Sequence, residues 1–331
     1  MISVIIPNWN GKKYLKDCLE SLLNQNAENY EIIVVDNNSS DGSVEFIEQN
    51  YPDVRLFKLK RNTGFAFAVN YGIKRAKGKY IALLNNDTIT DRNWLNEMKI
   101  ILDSNSEIYS VCSQVLFIEL PEMINSIGTG VSSAFIPFDL YITKKKDTQY
   151  SGPVLGPTGS AGMYRRTLFE KIGGFDSDFF AYFEDVDLNL RAFHAGLKSV
   201  YCRKSFIFHK MSGSTKMLSN FVFDQCMQNY FFMLIKNIPY QVYTRLFFPV
   251  SLRVIKFLYE YIKGKRPIAF IRNIIKVLRY LPSMFRKRSR ILGNKKSSSS
   301  EMVRILTEFN RFLPNYHKIK AVSKKIADRT P

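Results

Sequence analysis

Two short stretches carry side chains whose types and spacing suit chemistry. In Tyr80-Ile81-Ala82-Leu83-Leu84-Asn85-Asn86-Asp87, five apolar or aromatic residues close on two amides and a carboxylate. One acid flanked by amides suits a hard divalent cation, Mg²⁺ or Mn²⁺, held through oxygen against a diphosphate. Plain turn chemistry is the alternative, because Asn and Asp are common in turns. Further along, Glu184-Asp185-Val186-Asp187 opens a segment with Val186, Leu190, Phe193 and Leu197 at helical spacing and Gly196 as the stop. Carboxylates at a helix amino terminus are favoured in their ionised form, which keeps a base available at neutral pH. An acidic first turn of an ordinary helix is the alternative, and Asp187 with Arg191, at i and i+4, matches a structural pair.

The elements that must position these groups alternate. Ile2 to Pro7, Tyr30 to Asp36, Val54 to Lys58 and Tyr80 to Asn85 have strand character. Lys12 to Gln25, Ser43 to Gln49 and Phe65 to Ala76 have helix character between them. This order predicts an α/β fold with a parallel sheet and right-handed crossovers. The apolar run before Asn85 is then a strand buried on both faces, and Asp87 emerges at the rim where open α/β sheets bind ligands. After Asp91 the spacing predicts a helix over Trp94 to Leu102 and a strand over Tyr109 to Ile118. Pro121 to Ser151 is a long polar excursion, functional or mobile. Gly152 to Gly162 holds four glycines and two prolines, which permits close backbone approach to a ligand or simply turns.

Charge divides the chain more sharply than hydropathy does. Residues 1 to 210 carry 24 Lys and Arg against 24 Asp and Glu, whereas residues 211 to 331 carry 24 against 5, so the whole net charge of +19 lies in the last third. Such a region calls for an anionic partner, either phospholipid headgroups, a phosphate-linked lipid or nucleic acid. Within Gln241 to Lys263, the residues Arg245, Arg253, Lys256, Glu260 and Lys263 form a charged stripe on an amphipathic helix. Ile268 to Leu281 repeats the pattern, Phe285 to Lys296 is a basic run, and Ser297 to Ser300 has linker composition. Basic amphipathic helices suit an anionic membrane surface; the alternative is a solvated face of helices packed on the body. Charges interrupt every apolar run before it reaches spanning length. The four cysteines show no metal or disulfide spacing, and the amino terminus has no signal-peptide pattern, so the expected compartment is the cytosol.

Pro7-Asn8-Trp9-Asn10-Gly11, Val34-Val35-Asp36-Asn37-Asn38-Ser39-Ser40-Asp41-Gly42-Ser43, Arg61-Asn62-Thr63-Gly64-Phe65, Leu84-Asn85-Asn86-Asp87-Thr88, and Gly173-Gly174-Phe175-Asp176 to Glu184-Asp185-Val186-Asp187 occur in this order. Together they resemble family 2 glycosyltransferases of the GT-A fold, most closely the rhamnosyltransferase-type branch. The resemblance covers about residues 1 to 215, implying a catalytic domain there and a mostly helical, basic region over 216 to 331. It implies donor contacts at Pro7, Asn8, Asp36, Asn62, Asn85, Asn86 and Asp87. Asp87 is the last position of the family's D-x-D motif and the metal ligand, with His209, followed by Ser212 and Ser214, as a second ligand of metal or diphosphate. Asn85 stands where that motif has its first acid, which removes one charge and weakens affinity for metal without nucleotide. Asp185 takes the place of the catalytic base, with a carboxylate near its ordinary range.

The implied reaction is inverting transfer of one sugar from a nucleotide-diphosphate donor to a hydroxyl of a saccharide or polyprenyl-diphosphate-linked acceptor. Branch resemblance favours dTDP-rhamnose, with UDP-hexoses open. No Gln-x-x-Arg-Trp block of processive synthases is present. The basic region then places the enzyme peripherally on the inner face of the cell membrane. No nucleic-acid partner is expected, since the region lacks a helix-turn-helix or RNA-binding signature. A nucleic-acid-binding protein, or a non-catalytic binder of nucleotide sugars, is the competing expectation.

Overall fold

The computed structural model describes residues 1–210 and 220–329; Ser212, Ser214 and the boundary drawn at residue 215 lie outside them. The amino-terminal half follows the alternation read from the sequence: β1 (Ile2–Asn8), α1 (Lys12–Leu23), β2 (Tyr30–Asp36), α2 (Ser43–Asn50), β3 (Arg55–Lys58), α3 (Phe65–Ile73) and β4 (Tyr80–Leu84). These four strands are mutually parallel in the order β3-β2-β1-β4. Every residue of β4 is buried, as a strand with helices on both faces requires. On one face α1 turns Leu15, Cys18, Leu19 and Leu22 into a core shared with Val4, Ile6, Val34 and Ala82. On the other, Ala66, Val69 and Ile73 of α3 pack on Ile5, Ile33 and Val35.

Beyond β4 the sheet departs from the parallel expectation. β5 (Thr88–Thr90), α4 (Trp94–Ser104), β6 (Ile108–Phe117), β10 (Ala161–Arg165), α5 (Arg166–Lys171), α6 (Glu184–His194) and β11 (Lys198–His209) complete it in the order β4-β10-β6-β11-β5. β10 inserts antiparallel between β4 and β6, and β5 runs antiparallel to β11. The sheet is therefore mixed. The cause is the turn at Thr158 to Ser160, which delivers the chain to β10 from the carboxyl end of β4 and not through a crossover helix.

The stretch 121–151 is not the polar excursion its composition suggested. It folds into β7 (Ile124–Ser126) on the edge of β6 and a hairpin of β8 (Thr129–Val131) and β9 (Pro137–Asp139). Ile124, Ile127, Val131, Phe135 and Leu140 are buried in it. Strands of three residues are too short to register as a period, so burial here was invisible in the pattern.

The carboxyl-terminal third is helical: α7 (Asn220–Asn237), α8 (Tyr240–Arg245), α9 (Phe247–Lys263), α10 (Pro267–Gly293), α11 (Ser299–Phe309) and α12 (Tyr316–Ala327). α10 runs on through Pro282, with Val277 and Met284 buried on either side of it. The serine run is not a linker. Ser297 is buried against His194, with Oγ 2.9 Å from Nδ1, and Ser298 caps α11 by accepting from the Glu301 N–H at 3.0 Å. One apolar cluster joins Leu116, Val131, Phe179, Val186 and Leu190 to Met227, Phe232, Met233, Val277, Met284, Leu306 and Phe309. No helix among the described residues is long and apolar enough to cross a membrane.

Candidate active site

The turn after β4 carries Asn85, Asn86 and Asp87, and β5 follows at once. Because β5 pairs with β11 in the register Thr88 to His209, the imidazole of His209 is brought beside Asp87. Its Nε2 stands 3.3 Å from Asp87 Oδ1, without the alignment of a hydrogen bond, and that buried oxygen has no hydrogen-bond partner among the described residues. The opposite ring nitrogen, Nδ1, lies 3.1 Å from Asn125 Oδ1. An amide oxygen accepts, so Nδ1 carries the hydrogen and a neutral ring turns its Nε2 lone pair toward the carboxylate. Two electron-rich atoms facing each other call for a proton or a cation between them. Burial works against charge on the ring, but Asp87, with Asp139 and Glu119 behind it, holds His209 above its ordinary range. An oxygen and a nitrogen donor at the sheet rim fit a divalent cation that takes its remaining ligands from water and a diphosphate. Among the described residues no third His, Cys, Asp or Glu joins them.

Amides extend this corner to the second strand. Asn86 Nδ2 donates to Asn8 Oδ1 at 2.6 Å, and Asn8 Nδ2 donates to Asp36 Oδ2 at 2.9 Å. Asp36 Oδ1 accepts from the Ser39 N–H at 2.9 Å, so this buried carboxylate is held in place by one hydrogen bond to each oxygen and keeps acceptor capacity for a ligand. Gly11 sits against the Asn86–Asn8 contact. A Cβ there would come within 2.0 Å of Asn86 Nδ2 and 2.5 Å of Asn8 Oδ1, which explains the glycine after Asn10. Pro7 and Asn8 pair with Val35 and Asp36 across parallel strands. Asn62 belongs to the neighbouring loop, where its Oδ1 accepts from Asn37 Nδ2 and the Gly64 N–H, both at 3.0 Å.

Asp185 is held from two sides in the first turn of α6. Oδ2 accepts from the Gly159 N–H at 2.9 Å and Oδ1 from the Val186 N–H at 2.8 Å. The next carbonyl, that of Ser160, accepts from the Asn85 N–H at 3.0 Å. One tight turn thus ties the segment bearing Asp185 to the segment bearing Asp87.

The ionised pair expected from the helix dipole is not what burial produces. Glu184 is 6% exposed and its Oε2 has no partner among the described residues. Burial, then the neighbouring Asp185 charge, push its carboxyl well above the ordinary range. Asp185 is also raised by burial, but its N–H donors pull the other way. Desolvation outweighs a partial helix charge here. The environments separate the two acids: Glu184 is raised the further, with Oε2 unpartnered among the described residues, whereas Asp185 keeps two N–H donors that favour its carboxylate.

Behind them Asp187 is fully buried. Its Oδ2 accepts from Arg191 Nε at 2.9 Å and Lys236 Nζ at 2.8 Å, and its Oδ1 from Asn237 Nδ2 at 2.8 Å. The predicted pair of Asp187 and Arg191 is therefore present within a larger network anchored on α7.

The family model for glycosyl transferase family 2 matches residues 3–173. The chain belongs to this family. Among curated relatives of this glycosyltransferase, an O-antigen biosynthesis protein of Myxococcus xanthus is 28% identical over 65% of the chain and 18% of its own length. An uncharacterized glycosyltransferase of Rickettsia typhi is 32% identical, covering 57% of each protein. The chain thus spans well under two thirds of these relatives. An N-acetylglucosaminyl-diphospho-decaprenol L-rhamnosyltransferase of Mycobacterium tuberculosis is 25% identical over 65% of the chain and 78% of its own length. Staphylococcus aureus TarS shares the fold at TM-score 0.54 and 17% identity, covering 95% of the chain and 92% of that structure. GalNAc-T7, solved with UDP, GalNAc and Mn²⁺, does so at TM-score 0.57 and 17% identity, over 71% and 48%.

Several residues that the structure brings beside Asp87, His209 and Asp185 were not singled out in the sequence. Asn125 and Asp139 lie in the stretch read as a polar excursion, and Gly159 and Ser160 in the one read as close backbone approach to a ligand or turns. Asp139, on β9, is pushed up to about 6 by burial, with Asp185 adding to the shift and Ser126 and His209 opposing it. Its signal was only a lone acid between apolar residues.

Proposed function

We propose that this glycosyltransferase moves one sugar, with inversion, from a nucleotide-diphosphate donor to a hydroxyl of a saccharide or polyprenyl-diphosphate-linked acceptor in cell-surface polysaccharide synthesis. The observation that carries the reading is the pairing of a metal corner, Asp87 with His209, and a carboxylate, Asp185, on either side of one turn. A divalent cation, Mg²⁺ or Mn²⁺, held there would neutralise the charge that develops on the departing diphosphate.

The chain's own groups do the rest. Asp36 and the amides of Asn8, Asn62, Asn85 and Asn86 orient the donor. Asp185 accepts the acceptor's hydroxyl proton while that oxygen bonds to the face of the anomeric carbon opposite the breaking C–O bond, and the diphosphate leaves with the bonding electrons. A carboxylate raised above its ordinary range is better matched to a hydroxyl proton than a normal one. No covalent nucleophile on the protein is needed.

The M. tuberculosis relative, an L-rhamnosyltransferase acting on a diphospho-lipid-linked sugar, favours dTDP-rhamnose over UDP-hexoses and a lipid-linked acceptor. The exposed apolar residues of α9 and α10, beside a region of excess positive charge, favour peripheral attachment to the cytoplasmic membrane face. Thermal shift with dTDP-rhamnose, UDP-glucose, UDP-galactose, UDP-N-acetylglucosamine and GDP-mannose, each with Mn²⁺ or EDTA, is the test. A metal-dependent shift of several degrees with one donor is expected; a donor shift of equal size in EDTA would remove the metal from the reading.

A further inference from the structure

We propose that the cavity between α7 and α10 binds the phosphate of a lipid headgroup at the membrane-facing edge of the helical region. The proposal deepens the membrane reading above and rests on it.

The cavity holds about 420 Å³ and is lined by Asn220, Phe221, Asp224, Gln225, Gln228, Arg266, Arg272, Asn273 and Lys276. That volume lies in the range of small-ligand sites. Its charges do not cancel. Asp224 is committed to the floor, accepting from Tyr261 Oη at 2.7 Å through Oδ1 and from Arg266 Nη2 at 2.6 Å through Oδ2. Arg272 reaches the same carboxylate only at 3.5 Å and leaves most of its side chain exposed. Among the described residues Lys276 has no ion-pair or hydrogen-bond partner. Three cations thus face one carboxylate that is already engaged. Gln228 is 2% exposed, lines the cavity, and makes no side-chain hydrogen bond among the described residues. Surplus positive charge with an unused amide matches a phosphate oxyanion.

What makes the phosphate a lipid's is the face beside it. Ile268, Ile271, Ile275, Leu278 and Phe285 are more than half exposed and fall within about 100° of arc on α10. On α9, Phe248, Leu252, Ile255, Tyr259 and Ile262 share about 80° and are likewise half exposed or more. Arg272 and Lys276 follow Ile271 and Ile275 by one residue each, so the cations leave the helix along one border of its apolar arc. With that arc among acyl chains, the cations sit at headgroup depth.

The cavity also adjoins the catalytic side. Gln225 and Asn229 of α7 donate to the Phe179 carbonyl, each at 2.9 Å, and Asn229 also donates to those of Ala181 and Tyr182. These residues belong to the segment that enters Glu184 and Asp185. One helix therefore separates a lipid phosphate from the acceptor base.

The test uses the full chain, in EDTA, on vesicles of phosphatidylcholine with and without phosphatidylglycerol. Arg272→Ala/Lys276→Ala is compared with Arg286→Ala/Arg290→Ala, which removes the same charge from the same helix outside the cavity. Binding about tenfold weaker for the cavity variant than for the control variant is expected; equal weakening would mean bulk electrostatics and overturn the site. Calorimetry with monomeric dihexanoylphosphatidylglycerol separates the two readings. If no vesicle binds but the soluble lipid binds the wild type and not the cavity variant, the membrane reading fails and the headgroup site stands. Inorganic phosphate binding as tightly as the soluble lipid would assign the cavity to a free anion and overturn the lipid source.

Discussion

Lys236, on α7, places its ammonium 2.8 Å from Oδ2 of Asp187, two residues beyond the carboxylate proposed as base. The same nitrogen lies 2.6 Å from Asp176, whose carboxylate also accepts from Lys287 of α10. The helical third thereby grips both ends of the segment that carries Asp185. Removing one member of a buried charge network leaves the others uncompensated, which costs about 3–5 kcal/mol. Lys236→Met should lower unfolding free energy by that order in urea titration. A loss within about 0.5 kcal/mol, typical of a surface change, would show the network carries no weight.

The two acids at the start of α6 should separate on mutation. Asp185→Asn should leave donor binding intact and cut turnover by at least about 10²-fold. Glu184→Gln should retain most activity, since burial disfavours the charge on Glu184 and its Oε2 has no hydrogen-bond partner among the described residues to lose. If Glu184→Gln were the dead variant and Asp185→Asn the active one, the roles would be exchanged.

Asn125 touches neither donor nor metal in the proposed reaction, but it fixes which nitrogen of His209 carries the hydrogen. Asn125→Leu should weaken Mn²⁺ binding in the presence of a nucleoside diphosphate by about 10-fold or more, measured by the paramagnetic resonance of free Mn²⁺. Asp87→Ala should abolish it. Unchanged Mn²⁺ affinity in Asp87→Ala would place the metal elsewhere.

His194 gives a pH signature of the fold. Its ring is 1% exposed, with Nε2 2.7 Å from the Asn237 carbonyl and Nδ1 against Ser297. Burial, with Lys295 and Arg288 adding to it, lowers it from 6.5 to about 4. Between those values the unfolded chain binds a proton that the folded chain refuses. Stability is therefore full above about pH 6.5 and falls as pH drops toward 4, by about 3 kcal/mol for this group. His194→Gln should flatten the profile in that window. An unaltered slope would place the acid sensitivity on another group.

How much of this was legible depends on range. The strands through Tyr80–Leu84 and the start of α6 were visible because their burial follows a period or an uninterrupted run, and the turn residues that end them are polar. Asp87 and Asp185 were visible as chemistry at element ends, and His209 through resemblance. Hidden from the sequence were properties set by what folds over a residue. The reversal of β10, the burial of 121–151 and the capping role of Ser298 are of this kind. So is the rise of Glu184 and Asp185, where a local argument from the helix dipole pointed down and desolvation by distant segments pointed up. The basic helices were read as either membrane-facing or packed on the body. In α10 the packed description holds for the side that buries Val277 and Met284, while Ile271 and Ile275 are exposed on the other side.

The apolar cluster shared by the sheet edge and α7 to α11 bears on how the protein can be handled. A shortened chain ending near residue 210 would not be a cleaner catalytic unit. It would bare Leu116, Val131, Phe179, Val186 and Leu190 together, a sticky flank beside Asp185, and would come out of expression in inclusion bodies. Detergent-free material is better sought by polar replacement of Ile271, Ile275 and Leu278, whose side chains face outward, leaving the inner seam sealed.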